Sequence, residues 1–305
     1  MNNEAVVFSA SDLALYARGE GPLKSLRPPV RLGIFGDPVA HSASPPMHNA
    51  AAGVRLLDVQ FVRILVKPEE LPNALRNLAP AGFIGLSLTM PHKQAALSLI
   101  DEVDPKARLM GAINTVVVRD GKLHGHNTDG PGLSAAVFEE FGIPLKQLRI
   151  LILGGAGGAG RAITAQCALE GCPSITIANR NIKKGHSVAD EIAKTIGTMV
   201  DSIPLDSDKI RQALASTDLI INATPLGMKA GDPSPLPDGM LRPDHLVYDT
   251  VYSGGETALL KQARLAGCRC AGGFSMLLHQ GVLQNVLWFG EPAPLEAMRS
   301  ALRKP

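Results

Sequence analysis

Leu148-Arg149-Ile150-Leu151-Ile152-Leu153, running directly into Gly154-Gly155-Ala156-Gly157-Gly158-Ala159-Gly160, is the stretch that decides how this chain folds. Branched apolar residues dominate 148–153 and predict a buried strand. A helical stretch, Arg161 to Leu169, follows the glycines and is closed by Gly171. Gly155 to Gly160 satisfies G-x-G-x-x-G in the strand–turn–helix setting that a dinucleotide site requires. Glycine there lets the backbone approach a pyrophosphate, whose charge meets the unpaired N–H groups of the helix N-terminus. Gly155, Ala156, Gly157, Gly158 and Ala159 are therefore candidate cofactor contacts. A purely structural glycine turn is the competing reading, and the strand before it and helix after it weigh against that.

The next strand, Ser174 to Ala178, ends at Asn179-Arg180-Asn181, with Lys183 and Lys184 just beyond. NAD sites usually carry an Asp or Glu about 20 residues after the glycines, to accept from the ribose 2′-OH. Here the carboxylate is absent and cations are present. Arg can clamp a 2′-phosphate through two donors and Lys adds a point charge, so the expected cofactor is NADP, held by Asn179, Arg180, Asn181 and Lys184. The bland alternative makes these charges ordinary solvated surface. Two more strands, 218–224 and 245–249, complete the pattern of a doubly wound, Rossmann-like domain over 129–273.

Upstream, strands are expected at 30–36, 60–66 and 82–88, and helices at 45–52, 68–78 and 94–100. Their alternation predicts an α/β domain over 30–128 with a largely parallel sheet. Residues 1–29 read as an appended segment, with Ser11-Asp12 capping a short helix over 13–17 and Arg27-Pro28-Pro29 ending it. Met276 to Phe289 reads as a closing amphipathic helix in a segment, 274–305, assigned to the first domain.

A chain of 305 residues suits two domains better than one core. A net charge of +2 with no basic stripe argues against nucleic acid. No run of about 18 apolar residues offers a membrane span, and the acid-containing first residues do not read as a signal peptide. Partners should be small molecules, with the chain a monomer or homodimer. Cys167, Cys172, Cys268 and Cys270 form no C-x-x-C pair, so reduced thiols in a cytoplasmic protein are expected. His124 and His126 lie two apart without further ligands at metal-site spacing, so no metal is expected.

Polar residues gather in 41–45, 87–93, 111–115 and 127–130. Each has a dull explanation: Ser44 before Pro45 as a helix cap, Asn127 to Gly130 as a turn, Lys93 as a surface lysine. Together they read S-x-S-P, T-x-P-x-K, A-x-N-T and N-T-D-G. Asn222-Ala223-Thr224-Pro225-Leu226-Gly227, Tyr248-Asp249 with Tyr252, Met276-Leu277-Leu278-His279-Gln280 and Trp288-Phe289-Gly290 follow in order. From Gly33 to about Gly290 the chain resembles the shikimate dehydrogenase family.

The resemblance implies reversible NADP-dependent reduction of 3-dehydroshikimate to shikimate, within aromatic amino acid biosynthesis. It implies that Ser42 and Ser44 hold the substrate carboxylate, with Tyr252 near that end. Thr89, Asn114, Asp129 and Gln280 would bind ring hydroxyls. Lys93 matches the catalytic lysine and Asp129 its neighbour, while Thr250 and Gly273 fall where the backbone meets the nicotinamide. The closing helix would rejoin the first domain. Independently, hydride delivery to a carbonyl builds charge on oxygen, and an ammonium oriented by a carboxylate can supply the proton. Two departures stand out: Ser87 where Asn is common, and Ser275 where Gly is usual. A quinate/shikimate dehydrogenase of broader specificity and a non-catalytic NADP-binding sensor remain the alternatives.

Overall fold

A computed structural model of the protein describes residues 6–252 and 255–303, which form two compact units. One contains the residues through Thr128 and those from Gln280 onward; the other spans Asp129–His279. The division falls within a single helix, Phe274–Phe289.

In the second unit, the described strands form one parallel sheet. Its spatial order is Asp201–Pro204, Ser174–Asn179, Arg149–Leu153, Leu219–Asn222, Leu246–Asp249, Arg269–Ala271. Numbered along the chain within this unit, that is the doubly wound order 3-2-1-4-5-6. Ile150 to Leu153 and Leu219 to Ile221 are buried throughout, as strands covered on both faces must be. The order reverses between Arg149–Leu153 and Leu219–Asn222, where the strand ends leave a crevice for ligand. Register places Leu153 opposite both Ala178 and Asn222, and Asn222 opposite Asp249. Gly154, Asn179, Ala223 and Thr250 thus leave the sheet along one edge.

The first unit has a mixed sheet, ordered Val7–Ser9, Gln60–Leu65, Val30–Gly36, Gly85–Leu88, Thr115–Arg119, Lys122–His126, Glu102–Val103. Only Thr115–Arg119 runs antiparallel to its neighbours. It is joined to Lys122–His126 by Asp120 and Gly121, both at positive φ (51° and 76°), as a tight hairpin turn matched to strand twist requires. That hairpin was legible in Asp-Gly but is not foreseen by the alternating pattern upstream.

The amino-terminal segment is not an appendage. Val7–Ser9 adds a parallel edge strand beside Arg63–Leu65, and Leu13 and Leu23 are fully buried in the first core. Three strand residues are too few to show a period, which is why the sequence pattern hides them. The following helix is Ala10–Ala17, capped by Ser9 rather than Ser11-Asp12: Asp12 N–H donates to Ser9 Oγ, and Asp12 carboxylate accepts from Ser9 N–H. Other boundaries also shift. The expected helix over 68–78 is a 3₁₀ turn, Pro68–Glu70, followed by Leu71–Arg76. That over 94–100 starts at His92 and gives way after Ala95 to a 3₁₀ turn, Ala96–Ser98. The strand expected from Gly82 begins at Gly85, because Gly82 takes φ +72° in the preceding turn. The closing helix is buried around most of its circumference, with Phe274 and Val286 its exposed apolar residues, so it is a core helix and not a one-sided one.

Candidate active site

Backbone pairing brings the first unit's polar segments to one edge of its sheet. Thr89 N–H donates to Phe35 O, Leu88 N–H to Asn114 O, and Asn114 N–H to His126 O. Ile113 N–H donates to Lys93 O at 2.8 Å, tying the lysine's turn to the A-x-N-T segment. Thr89, Lys93, Asn114 and Thr128 therefore converge although the chain separates them widely.

Asn114 is the centre of this edge and is only 2 % exposed. Its Oδ1 accepts from Thr115 Oγ1 (2.7 Å) and Thr128 N–H (2.8 Å). Its Nδ2 donates to Thr128 Oγ1 (2.9 Å) and toward Gln280 Oε1 (3.4 Å). Asn127 is spent on structure, donating to Ala112 O. Asp129, buried, opens the helix Asp129–Phe141, where an acid suits the positive end of the helix dipole.

The serine loop is held from below. Ser44 is not the helix cap: the helix Ser44–Val54 has Ala43 at its N-cap, and Ser44 sits buried in the first turn. Ser42 Oγ accepts from Ser44 N–H at 3.3 Å. Arg63, in the strand Gln60–Leu65, donates from Nε (3.0 Å) and Nη2 (2.6 Å) to Ser42 O. Burial lowers the Arg63 pKa, yet a guanidinium remains charged. A charged residue inside an apolar strand was the sequence signal for Arg63, and it was missed.

On the second unit's edge, the helix Gly158–Leu169 begins inside the glycine loop, with Gly157 at the N-cap. Gly154 takes φ +81°, and a Cβ there would press on Ala223 and Thr224 across the switch point. A Cβ at Gly160 would collide with the Gly154 carbonyl, so this glycine lets helix meet strand. Gly158 differs: a Cβ there meets nothing within 4 Å and its φ is ordinary. No packing demand explains this glycine. These residues fit a dinucleotide.

The Asn179-Arg180-Asn181 segment divides its labour. Asn179 Oδ1 accepts from Ala156 N–H (3.3 Å), and Asn181 caps the helix Ile182–Ile196 by accepting from Lys184 N–H. Arg180, Lys183 and Lys184 are exposed. At the far side, Asn222 ties the N-A-T-P-L-G turn together: Oδ1 accepts from Thr224 N–H and Oγ1, while Nδ2 donates to Asp249 Oδ1 (2.9 Å) and Leu226 O. Asp249 also accepts from Thr257 Oγ1 (2.6 Å) and Val251 N–H. Burial raises its pKa against these bonds. Thr250 is pinned by two donations to Asn222 O, and Gly273 N–H donates to Val251 O. Tyr252 lies with its ring 6.0 Å from Phe274, its pKa raised by burial.

Residues 34–116 match the family described as shikimate dehydrogenase substrate binding domain, residues 136–227 shikimate / quinate 5-dehydrogenase, and 273–303 shikimate 5′-dehydrogenase C-terminal domain. A shikimate dehydrogenase (NADP(+)) of Desulforamulus reducens is 42% identical over 275 residues, covering 89% of this chain and 94% of that protein. The chain belongs to the shikimate dehydrogenase family. The Methanopyrus kandleri shikimate dehydrogenase (NADP(+)) is 41% identical over 273 residues, with 89% and 94% covered. The Thermus thermophilus shikimate 5-dehydrogenase, solved with NADP(H) and shikimate, superposes with a TM-score of 0.79 at 36% identity, covering 90% of this chain and 98% of that one.

The two departures from the shikimate dehydrogenase pattern have structural partners. Ser275 Oγ is 2.9 Å from Tyr248 Oη, which also accepts from Met276 N–H, and burial raises the tyrosine's pKa. Ser87 Oγ donates to Gln284 Oε1 at 3.0 Å, in the core of the first unit. Among the described residues no cluster of His, Cys, Asp or Glu could hold a metal, and no helix is long and apolar enough to cross a membrane.

Proposed function

We infer that this chain is an NADP-dependent shikimate dehydrogenase, interconverting 3-dehydroshikimate and shikimate. The observation that carries this is family membership across nearly the whole chain, combined with an intact set of chemistry-bearing residues: Lys93, Asp129, Asn114, Gln280 and the serine loop. Bound NADPH supplies the hydride. In our reading the Lys93 ammonium donates a proton from Nζ to the oxygen that becomes the alcohol, and takes it back in the oxidation. Asp129 accepts from a ring hydroxyl and orients the lysine. Ser42 and Ser44 donate to the substrate carboxylate, their loop steadied and its field made positive by Arg63. Thr89, Asn114 and Gln280 take the ring hydroxyls, with Tyr252 toward the carboxylate end. Gly155, Ala156, Gly157, Gly158 and Ala159 receive the pyrophosphate. Arg180 and Lys184 receive the 2′-phosphate, and Thr250 and Gly273 flank the nicotinamide. Asn179 and Asn181 act by holding the glycine loop and the neighbouring helix in place.

Four free thiols, three of them buried, suit a reducing compartment such as the cytoplasm. The function is tested by following the absorbance of the reduced nicotinamide on addition of shikimate, quinate or aminoshikimate, each with NADP and with NAD. Turnover of shikimate with NADP well above the other pairs is expected. Equal turnover of quinate would move the assignment to the broader dehydrogenase, and tight NADP binding without any turnover would make the chain a sensor.

A further inference from the structure

Behind Asn114 lies a buried amide to which the proposed reaction assigns no role. Gln284 stands one helical turn beyond Gln280 and is 1 % exposed, as is His48 beside it. The His48 ring stacks on Phe61 (4.7 Å between centroids) and tilts against Trp288 (4.9 Å). Burial lowers its pKa to about 3, so the ring is neutral and carries one N–H. Nδ1 is buried without a partner, while Nε2 is 3.1 Å from Gln284 Oε1. Orphaned buried N–H groups are rarer than orphaned acceptors, which puts the proton on Nε2.

Gln284 Oε1 thus accepts from His48 Nε2 and from Ser87 Oγ. With its oxygen claimed by two donors, the amide must turn Nε2 the other way, where it donates to Thr115 Oγ1 (3.1 Å) and Asn114 O (3.4 Å). Thr115 has accepted and has one proton left, which goes to Asn114 Oδ1 (2.7 Å). That oxygen is held inward by Thr115 together with the Thr128 N–H (2.8 Å), and Nδ2, which also donates to Thr128 Oγ1 (2.9 Å), is the atom turned toward Gln280. Neither amide can reverse alone without setting donor against donor inside the core, Asn114 against the Thr128 N–H and Gln284 against the His48 Nε2–H.

We propose that Gln284 is a positioning residue: the hydrogen-bond relay from His48 and Ser87 through Gln284 and Thr115 acts with the Thr128 N–H to hold the Asn114 carboxamide in one orientation, with Nδ2 presented as a hydrogen-bond donor to the substrate hydroxyl. The relay rests on the reading above that Asn114 binds substrate. It also accounts for Ser87, whose short side chain leaves space for Gln284 to reach it.

The test is steady-state kinetics of the full chain with NADP, alongside thermal melting. Gln284→Met and Thr115→Val should each raise the shikimate KM about tenfold, the loss of one well-made hydrogen bond, with kcat and the NADP KM little changed. Thr115→Ser keeps the hydroxyl and should stay within about twofold of the parent by the same reasoning. The double variant should be no worse in KM than either single one, since both cut the same path. A Thr115→Val chain with parental KM, or KM effects that add in the double variant, overturns the relay; so does a Gln284→Met chain that loses melting temperature alone. Asn114→Ala separates the two levels. If it raises KM while Thr115→Val does not, only the relay fails; if it leaves KM unchanged, the role given to Asn114 fails and the relay with it.

Discussion

Asn114, Thr115, Thr128 and Gln284 hold one another along the first sheet's edge through buried side-chain hydrogen bonds of 2.7–3.4 Å. Along the second sheet's edge, Gly154 to Gly160 offer almost no side chains, and the loop is steadied by Asn179 and by the turn at Asn222. The first arrangement suits a small ring whose hydroxyls differ only in position, because directional donors and acceptors can tell them apart. The second suits a pyrophosphate, whose diffuse charge asks for close backbone and a helix N-terminus. Recognition of stereochemistry needs oriented side chains; recognition of charge needs room.

The largest expected effect breaks the chemistry of the first edge. Lys93→Ala should lower kcat by about 10²–10⁴, the usual worth of general acid–base catalysis, with a modest change in shikimate KM. A near-parental kcat would remove Lys93 from the reaction. Next, Arg180→Ala should raise the NADP KM by roughly 10–100-fold, the value of one charge-assisted hydrogen bond pattern, and barely alter that for NAD. Equal effects on both cofactors would return Arg180 to ordinary surface.

A paired substitution sharpens the claim that the second edge is built from absent side chains. Gly160→Ala should cost about 1–3 kcal/mol of stability, because its methyl group meets the Gly154 carbonyl. Gly158→Ala should leave the melting temperature intact, since its methyl group meets no protein atom, yet weaken NADP binding about tenfold through lost approach and a displaced hydrogen bond. Calorimetric titration with NADP and melting curves would separate them. Undiminished NADP affinity in Gly158→Ala would leave that glycine unexplained.

The last effect concerns the core behind the first edge. The unfolded chain protonates His48 near its ordinary 6.5, whereas the folded chain resists protonation until about 3. The folded state is therefore fully favoured above pH 6.5 and loses this contribution as pH falls toward 3, at up to about 1.4 kcal/mol per pH unit. Urea midpoints at pH 7 and pH 5 should fall less for His48→Asn than for the parent. The same fall in both would place the acid sensitivity elsewhere, among His92, His126 and His245, whose pKa values burial also lowers.

Much of the second unit was legible because its signals are consecutive: an apolar strand, then glycines, then a helix. Boundaries there shift by a few residues, as for Leu219–Asn222 within the expected 218–224. The first unit was harder. Val7–Ser9 is too short to announce itself, and the Pro68–Glu70 and Ala96–Ser98 turns break helices that composition alone would continue. Candidate substrate residues could be named by resemblance. Arg63, His48 and Gln284 could not: Arg63 is a lone charge between apolar neighbours, and His48-Asn49 and Gln284-Asn285 look in sequence like ordinary polar pairs on helices.

By itself, then, the order of residues determined the architecture of the nucleotide unit and the cofactor, because strand period, glycine placement and the missing acid after Ala178 are properties of neighbours along the chain. Tertiary structure alone decided which amide faces which hydroxyl. Thr128 lies 14 residues from Asn114, and Gln284 lies 236 from His48. A hydrogen bond has a direction only once both partners are fixed in space, and no local pattern records a partner that distant.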